Sequence, residues 1–417
     1  MSLGADTRFR IAFALLIGAA IPSVVFGRVV FATVLFLGFT ALLVSDLRRE
    51  AWQYLTEQAK SLLGLCVGIT VILWSVSAVS SSFPLRALEA EVRSAVFVGV
   101  GVMVLGAFRT DEALYHLCLR SLIIVCAVSV LIACLSMTVL PELYWAVRLK
   151  GWLSTPLETQ LKTFSSLAVI LIPLLAWLAR RETPRLRIVA LITLLGLIFL
   201  VWETYNRAAI AGLLGISLAW VATEMLHRGT RHHILLSLGG VAITIIAVVI
   251  WLKMSRSGVI GNAPAGDWLF PVWLIDFQRQ TIWAHTLDIF NQAPWFGIGA
   301  NTINFTPGAD MPLPGNESLH VISAHPHNWL VEVLAETGAA GLGGLLIVIG
   351  ALTYRWVRAF RRTRKTAYQT ALAITAGYWV SGLFNFSYWS AWWQFSFLIG
   401  LAVALGGTSE NKQSGAP

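Results

Sequence analysis

Apolar runs of about 17 to 25 residues recur along most of this chain, each long enough to cross ~30 Å of hydrocarbon as a helix. They predict spans near 11–26, 29–45, 61–79, 92–108, 117–139, 163–179, 188–204, 208–226, 234–252, 338–354, 367–384 and 392–407. Twelve spans put both ends of the chain on one side. The rhythm breaks between 253 and 337, the longest polar segment, with Gly- and Pro-rich clusters at 261–267 and 306–316. A shorter loop on the same side covers 140–162. Inside the long segment, Phe277, Trp283, Leu287 and Phe290 fall on one face of a helix over 276–292. Just before the tenth span, Trp329, Leu330, Val333 and Leu334 outline another amphipathic turn that runs into Gly338.

Composition narrows the class. The chain of 417 residues is 57% hydrophobic and 12% charged, with 18 tryptophans and a mean hydropathy of +0.73. We expect an all-α polytopic membrane protein, a single integral membrane domain over 1–417, with the loop region 253–337 carrying the active site between spans nine and ten. Arg8, Arg10 and the apolar stretch to Ala20 resemble a signal peptide, but the apolar pattern resumes at Val29, which favours a retained hairpin of two spans. Cys66, Cys118, Cys126 and Cys134 all sit in apolar runs without metal-site spacing, so neither a disulfide framework nor a cysteine metal site is expected.

Charge then orients the bundle. The side bearing the termini holds 20 Lys and Arg, anchored by the clusters at 180–187 and 355–365, and the opposite side holds 10. That bias predicts cytoplasmic termini. The net charge of +9 thus reports topology, and no nucleic-acid partner is expected.

The long loop is itself acidic. Its only bases are Lys253, Arg256 and Arg279, against Asp267, Asp276, Asp288, Asp310, Glu317, Glu332 and Glu336. Arg279 either stacks on Trp283 or pairs with Asp276 three residues earlier, or else it is an anion ligand at the membrane face. Arg207 follows the very short connection 204–206 and opens the next helix. It either snorkels and pairs with Glu203, or it grips a lipid-linked phosphate, for which a bidentate guanidinium at a helix N-terminus is suited. His325 and His327 admit three readings: structural or simply exposed, metal-ligating, or proton-handling. No third metal ligand is evident, and imidazole is suited to taking a proton from a hydroxyl near neutral pH. Asn328 could orient a ring or a sugar hydroxyl. Gly338 and Gly341 permit close approach within the membrane. There is no dinucleotide fingerprint, Walker loop or nucleophile elbow, and no apolar run carries a chain of charges, which weakens a transporter reading.

His327-Asn328, nine residues, then Gly338-x-x-Gly341 resembles the signature of the O-antigen ligase and polymerase superfamily, WaaL-type ligases in particular. Tyr205-Asn206-Arg207-Ala208 resembles the family's Ser-Arg-Gly-Ala-type helix start, Arg279-x3-Trp283 its loop arginine and tryptophan, and Gln292 to Gly299 its His-Pro-x-x-Gly-x-Gly stretch. The likeness covers about 205 to 341. Asn206 stands where Ser is usual, and Gln292-Ala293 where Asp-His is usual. The resemblance implies an inverting glycosyltransferase of the GT-C type in a Gram-negative inner membrane, facing the periplasm. Its donor would be O-polysaccharide on undecaprenyl diphosphate and its acceptor lipid A–core, amid membrane lipids, with no metal, nucleotide or other cofactor. It further implies His327, Arg207 and Arg279 as catalytic residues, with His325, Asn328, Trp283, Gly338 and Gly341 at the substrate.

Three rivals follow. An O-antigen polymerase would use another donor-linked glycan as acceptor. A protein O-oligosaccharyltransferase would glycosylate Ser or Thr; a chain ending at Pro417, soon after the last predicted span, is expected to lack the further soluble region of such enzymes. A flippase or exporter would instead line the bundle interior with polar residues.

Overall fold

The computed structural model describes residues 4–149, 155–228, isolated positions between 235 and 249, 269–313 and 316–408. The span expected at 234–252, apart from those isolated helical positions, and the loop part 253–268 lie outside the described residues. The helices are α1 (Ala5–Ala20), α2 (Arg28–Val44), α3 (Arg48–Ala59), α4 (Leu62–Ser80), α5 (Pro84–Thr110), α6 (Glu112–Thr138), α7 (Pro141–Val147), α8 (Leu157–Ser166), α9 (Ala168–Leu178), α10 (Pro184–Glu203), α11 (Arg207–Arg228), α12 (Phe277–Gln292), α13 (Trp329–Thr363), α14 (Thr366–Gly382) and α15 (Ala391–Gly406). Two short antiparallel strands, β1 (Pro312–Leu313) and β2 (Asn316–His320), add a hairpin that an all-α expectation did not include.

Among the described residues, six helices are each long and apolar enough to cross a membrane, namely α4, α5, α6, α10, α11 and α13. The number rises to eight if two bent pairs, α2 with α3 and α8 with α9, each count as one span, and α15 is a shorter apolar helix. Many outward residues of these helices are large and apolar: Phe36, Ile72, Ile192 and Leu195 are each more than 60% exposed. A soluble protein would not leave such rows bare, and lipid is the solvent that covers them. The chain is a multi-pass membrane protein.

Local chemistry sets the helix ends. Asp111 caps α6 by accepting the Leu114 N–H at 3.0 Å, Ser61 caps α4 through Gly64, and prolines open α5 and α10 where no backbone donor is required. α3 was not foreseen. Its Arg48, Arg49, Glu50 and Glu57 make it too polar to cross, and it turns 100° from α2, as a helix lying along an interface does. The span expected at 163–179 is broken at Leu167, with a bend of 53° between α8 and α9.

Two packings position the site. α11 lies against α14 with backbones in near contact, because a Cβ on Gly212 or Gly215 would come within 2.8 Å of a carbonyl of Gly377 or Ala376. An aromatic cluster joins α13 to α14, where Trp329 stands edge-on to Trp379 at 4.6 Å and donates its indole N–H to the Trp379 carbonyl. The start of α13 is thereby fixed against the last turns of α14.

Candidate active site

The helix α13 is built around an interruption. Gly338 has φ +67° and ψ −178°, outside helical space, and the expected amphipathic turn and the expected span join there into one broken helix. The segment 294–299 fills the gap. Ala339 and Ala340 donate to the carbonyls of Pro294 and Trp295, while Ile298 and Gly299 donate to those of Ala335 and Glu336. A Cβ on Gly338 would sit 2.3 Å from the Trp295 carbonyl, and one on Gly297 would sit 2.4 Å from the Glu336 carbonyl. The two glycines therefore serve this backbone-to-backbone dock. Gly341 receives the Trp74 indole at its carbonyl, 3.3 Å away, and abuts Thr337. Both Gly338 and Gly341 were expected at the substrate; the structure packs them internally.

The same turns hold two acids of the loop's acidic set. Glu336 is fully buried and accepts N–H donors from Asn301, Thr302, Ile303 and the Trp389 indole. Glu332 is buried and accepts the Tyr388 N–H at 2.7 Å. Both carboxylates are committed to holding loops.

The loop that Glu332 holds presents one atom to both histidines. The Asn385 carbonyl lies 3.2 Å from His325 Nε2 and 3.3 Å from His327 Nδ1. A carbonyl only accepts, so in the neutral rings these nitrogens carry the protons. His327 is left with a lone pair on Nε2. Burial pushes the pKa of both rings well down, to about 3 for His325 and about 4 for His327. Beyond burial, His325 feels the His327 ring, 4.3 Å away centre to centre, and His327 feels Arg279. His327 itself sits in the left-handed region at φ +56°, unusual for a residue with a side chain and characteristic of functional loops. Asn328 then caps α13, its Oδ1 accepting the Leu330 N–H at 3.0 Å, so its carbonyl end serves the helix rather than a sugar. Trp283 donates to the Pro326 carbonyl at 3.0 Å and ties α12 to this loop.

The two arginines meet at a residue that sequence reasoning had given only to Arg279. Asp276 Oδ2 lies 3.7 Å from Arg207 Nη1 and 3.8 Å from Arg279 Nε, while its Oδ1 caps α12 through the Arg279 N–H. Arg207 thus faces Asp276 across the fold, not Glu203 as the local pairing proposed. Asn206, the departure from the family's usual Ser, caps α11 through Ala209 and donates to Ser165 and Ser166. Ser166 also accepts from the Asn385 side chain at 3.0 Å. One continuous network therefore links the helix start at Arg207, the break between α8 and α9, and the carbonyl that orients the histidines. Lys162 and Arg28 lie close enough to add charge to it, Lys162 beside Arg279 and Arg28 beside His325, with Glu158 near Lys162.

The predicted face of α12 holds at Phe277, which is buried, and at Trp283 and Phe290, which pack partly buried against a cluster of Ile282, Ile303, Val321 and Ala335. It fails at Leu287, which is exposed, while Gln280, Ile282, Thr286 and Ile289 are buried without having been expected. Asp276, Ser166 and Asn385 were missed as site residues. Only Asp276 left a local signal, an acid just before a helical pattern; the others are brought in by tertiary contacts alone. Among the described residues no three of His, Cys, Asp and Glu stand together to hold a metal ion, and all four cysteines are free.

The fold and site define a multi-pass helical membrane protein in which neutral imidazoles stand beside a cluster of guanidinium groups, an arrangement suited to handling a proton next to an anion. Residues 192–346 match the family described as O-antigen ligase, and this segment contains every site residue anticipated above. The resemblance to O-antigen ligases therefore extends beyond the short motifs. Proteins named "Putative polysaccharide ligase" from Rickettsia conorii and Rickettsia prowazekii are 22% and 26% identical to it over 119 residues. That stretch is 28% of this chain and 28% of the length of each relative.

Proposed function

We propose that this protein is a membrane glycosyltransferase that moves O-polysaccharide from undecaprenyl diphosphate to a sugar of lipid A–core, at a periplasm-facing site in the inner membrane. The reading includes twelve GT-C-type spans, cytoplasmic termini and the active site in the 253–337 loop region. It rests on the Lys and Arg bias, on the family segment and above all on one geometric observation: the Asn385 carbonyl leaves His327 Nε2 with a free lone pair beside the arginine cluster.

The chemistry follows. The acceptor hydroxyl oxygen attacks the anomeric carbon, its proton passes to His327 Nε2, and the bond to the diphosphate breaks with the electron pair leaving on phosphate oxygen. Arg207 and Arg279 neutralise that growing charge, which is electrostatic transition-state stabilisation. Their shared Asp276 holds the guanidinium groups in place before the donor arrives, and the multiply charged diphosphate competes with it for them. Because the donor brings its own leaving group, neither nucleotide nor metal is required. An imidazole with a pKa of about 4 is a weak base. The arriving negative charge raises it, so the base gains strength once the donor is seated.

The test is to incubate purified protein with undecaprenyl-diphosphate glycan and lipid A–core in excess chelator without nucleotide. Glycan attached to core is expected. Longer donor-linked glycan with unmodified core would make the protein a polymerase, and activity recovered only on adding a divalent ion would overturn metal independence.

A further inference from the structure

A second site lies on the face of the bundle opposite the histidines. α4 and α5 reach the histidine face at Ser77 and Arg86, which contact Glu336 and Asn301. Their other ends, with Arg355 on α13, frame a cleft of about 330 Å3 roofed by the interfacial helix α3. Arg355 lies 26 residues after Trp329 on the broken helix α13, about 40 Å along it at helical rise.

The cleft has a polar mouth and an apolar interior. Arg109 is fixed at the mouth, donating to the Tyr54 hydroxyl and to Thr408 Oγ1, each at 2.8 Å, with its guanidinium 5.1 Å from the Tyr54 ring. Its Nε is buried without a partner. Arg355 reaches the same mouth and, among the described residues, donates to the neutral Gln58 amide at 3.1 Å. Among the described residues neither guanidinium has a carboxylate within salt-bridge distance, and none of the residues lining the cleft is acidic. Inward, Val67, Val98, Val348, Leu352 and Leu398 line the wall and also line a second, more apolar cavity of about 120 Å3 that continues toward Trp74 and Tyr388.

Topology alone does not ask for this arrangement. A snorkelling arginine that reports sidedness reaches into water, whereas Arg109 is pinned by two hydroxyls and an aromatic ring with part of its donor set unused. One pinned and one exposed guanidinium, both without a carboxylate partner among the described residues and both above an apolar slot, match a phosphate headgroup above acyl chains. We propose that this cleft is a binding site for an anionic phospholipid, with the phosphate on Arg109 and Arg355 and one acyl chain along Val67 and Leu352.

The experiment is native mass spectrometry of the full chain in mild detergent, titrated with equal amounts of dioleoylphosphatidylglycerol and dioleoylphosphatidylcholine. One bound phosphatidylglycerol is expected, preferred by about tenfold, because each basic residue near a lipid headgroup contributes several-fold. Arg355→Gln should lower that preference several-fold, and Arg109→Gln with Arg355→Gln should reduce it to under about twofold. Arg355 is exposed at the cleft mouth, so the single variant tests the idea even if the double variant does not fold. Equal occupancy by the two lipids, or a preference that survives Arg355→Gln in a folded protein, would overturn the proposal. Displacement of phosphatidylglycerol by equimolar undecaprenyl phosphate would overturn it too, by assigning the cleft to a single-chain polyprenyl lipid.

Discussion

His327 has an ordinary side chain in an unusual setting. Its ring is held neutral by burial and aimed by a backbone carbonyl, which fixes the tautomer as the second partner of a histidine commonly does. The pH dependence follows in sign. The kcat/KM profile reports the free enzyme, so its acid limb should fall near pH 4 rather than near 6.5. The kcat profile reports the donor-bound form, and its acid limb should lie higher, because the diphosphate favours the protonated ring. A limb near 6.5 in kcat/KM would mean that the working imidazole is not buried. Stability has its own sign. Both histidines have folded pKa values below the unfolded value, so as pH falls the unfolded chain takes up protons first. The folded state should lose stability from about pH 6.5 down to about pH 4 through His327 and on to about pH 3 through His325, and His325→Gln should lessen that loss in melting curves. Asp276 makes a separate prediction. Asp276→Asn keeps an oxygen to cap α12 but removes the charge that competes for two arginines. Donor binding should tighten by roughly threefold or more while turnover drops, since the guanidinium groups lose their common anchor. Weaker donor binding in a folded Asp276→Asn protein would show that Asp276 is not a competitor.

At the level of elements, α13 carries the account. Its break at Gly338 exists because the segment 294–299 supplies hydrogen bonds that a continuous helix would have made for itself. Gly338→Ala places a methyl against the Trp295 carbonyl at a positive φ and should cost at least about 2 kcal/mol in thermal unfolding. Gly343→Ala, five residues on in the same helix with nothing within 4 Å of its Cβ, should be neutral or stabilise by about 1 kcal/mol. Equal effects would remove the argument for the break. Sequence reading found this helix and its glycines, because apolar periodicity and Gly spacing are local. It assigned the glycines to substrate and close helix approach, because the partner that presses on Gly338 lies over forty residues away in sequence at Trp295. On α12 the periodicity placed Phe277, Trp283 and Phe290 correctly but took exposed Leu287 for buried and missed Ile282, whose burial is decided by the loop residues Ile303 and Val321, which no helical period contains. Asn385 and Ser166 left no trace, since a carbonyl or a hydroxyl carries no motif until the fold brings it to a ring.

For the whole molecule, the strongest sequence signal was the bilayer itself. Among the described residues helices occur at eleven of the predicted spans, and six of them stand as long apolar helices on their own. Short or bent helices such as α1 and the α8–α9 pair depend on neighbours, which composition does not report. The sidedness implied by the Lys and Arg bias is open to direct test. Met311→Cys, on the exposed tip before β1, should react with an impermeant thiol reagent added to intact spheroplasts. Labelling only after permeabilisation would place the histidines in the cytoplasm and remove the proposed donor face. The role of His327 is decided by one paired measurement: donor binding and ligation turnover for His327→Ala beside the wild-type protein. Turnover should fall by about 10²–10⁴-fold, the usual worth of a general base, while binding of undecaprenyl-diphosphate glycan stays within about threefold because the arginines hold the diphosphate. Ligation near the wild-type rate, or donor binding lost together with turnover, would contradict the assignment of His327 as the base.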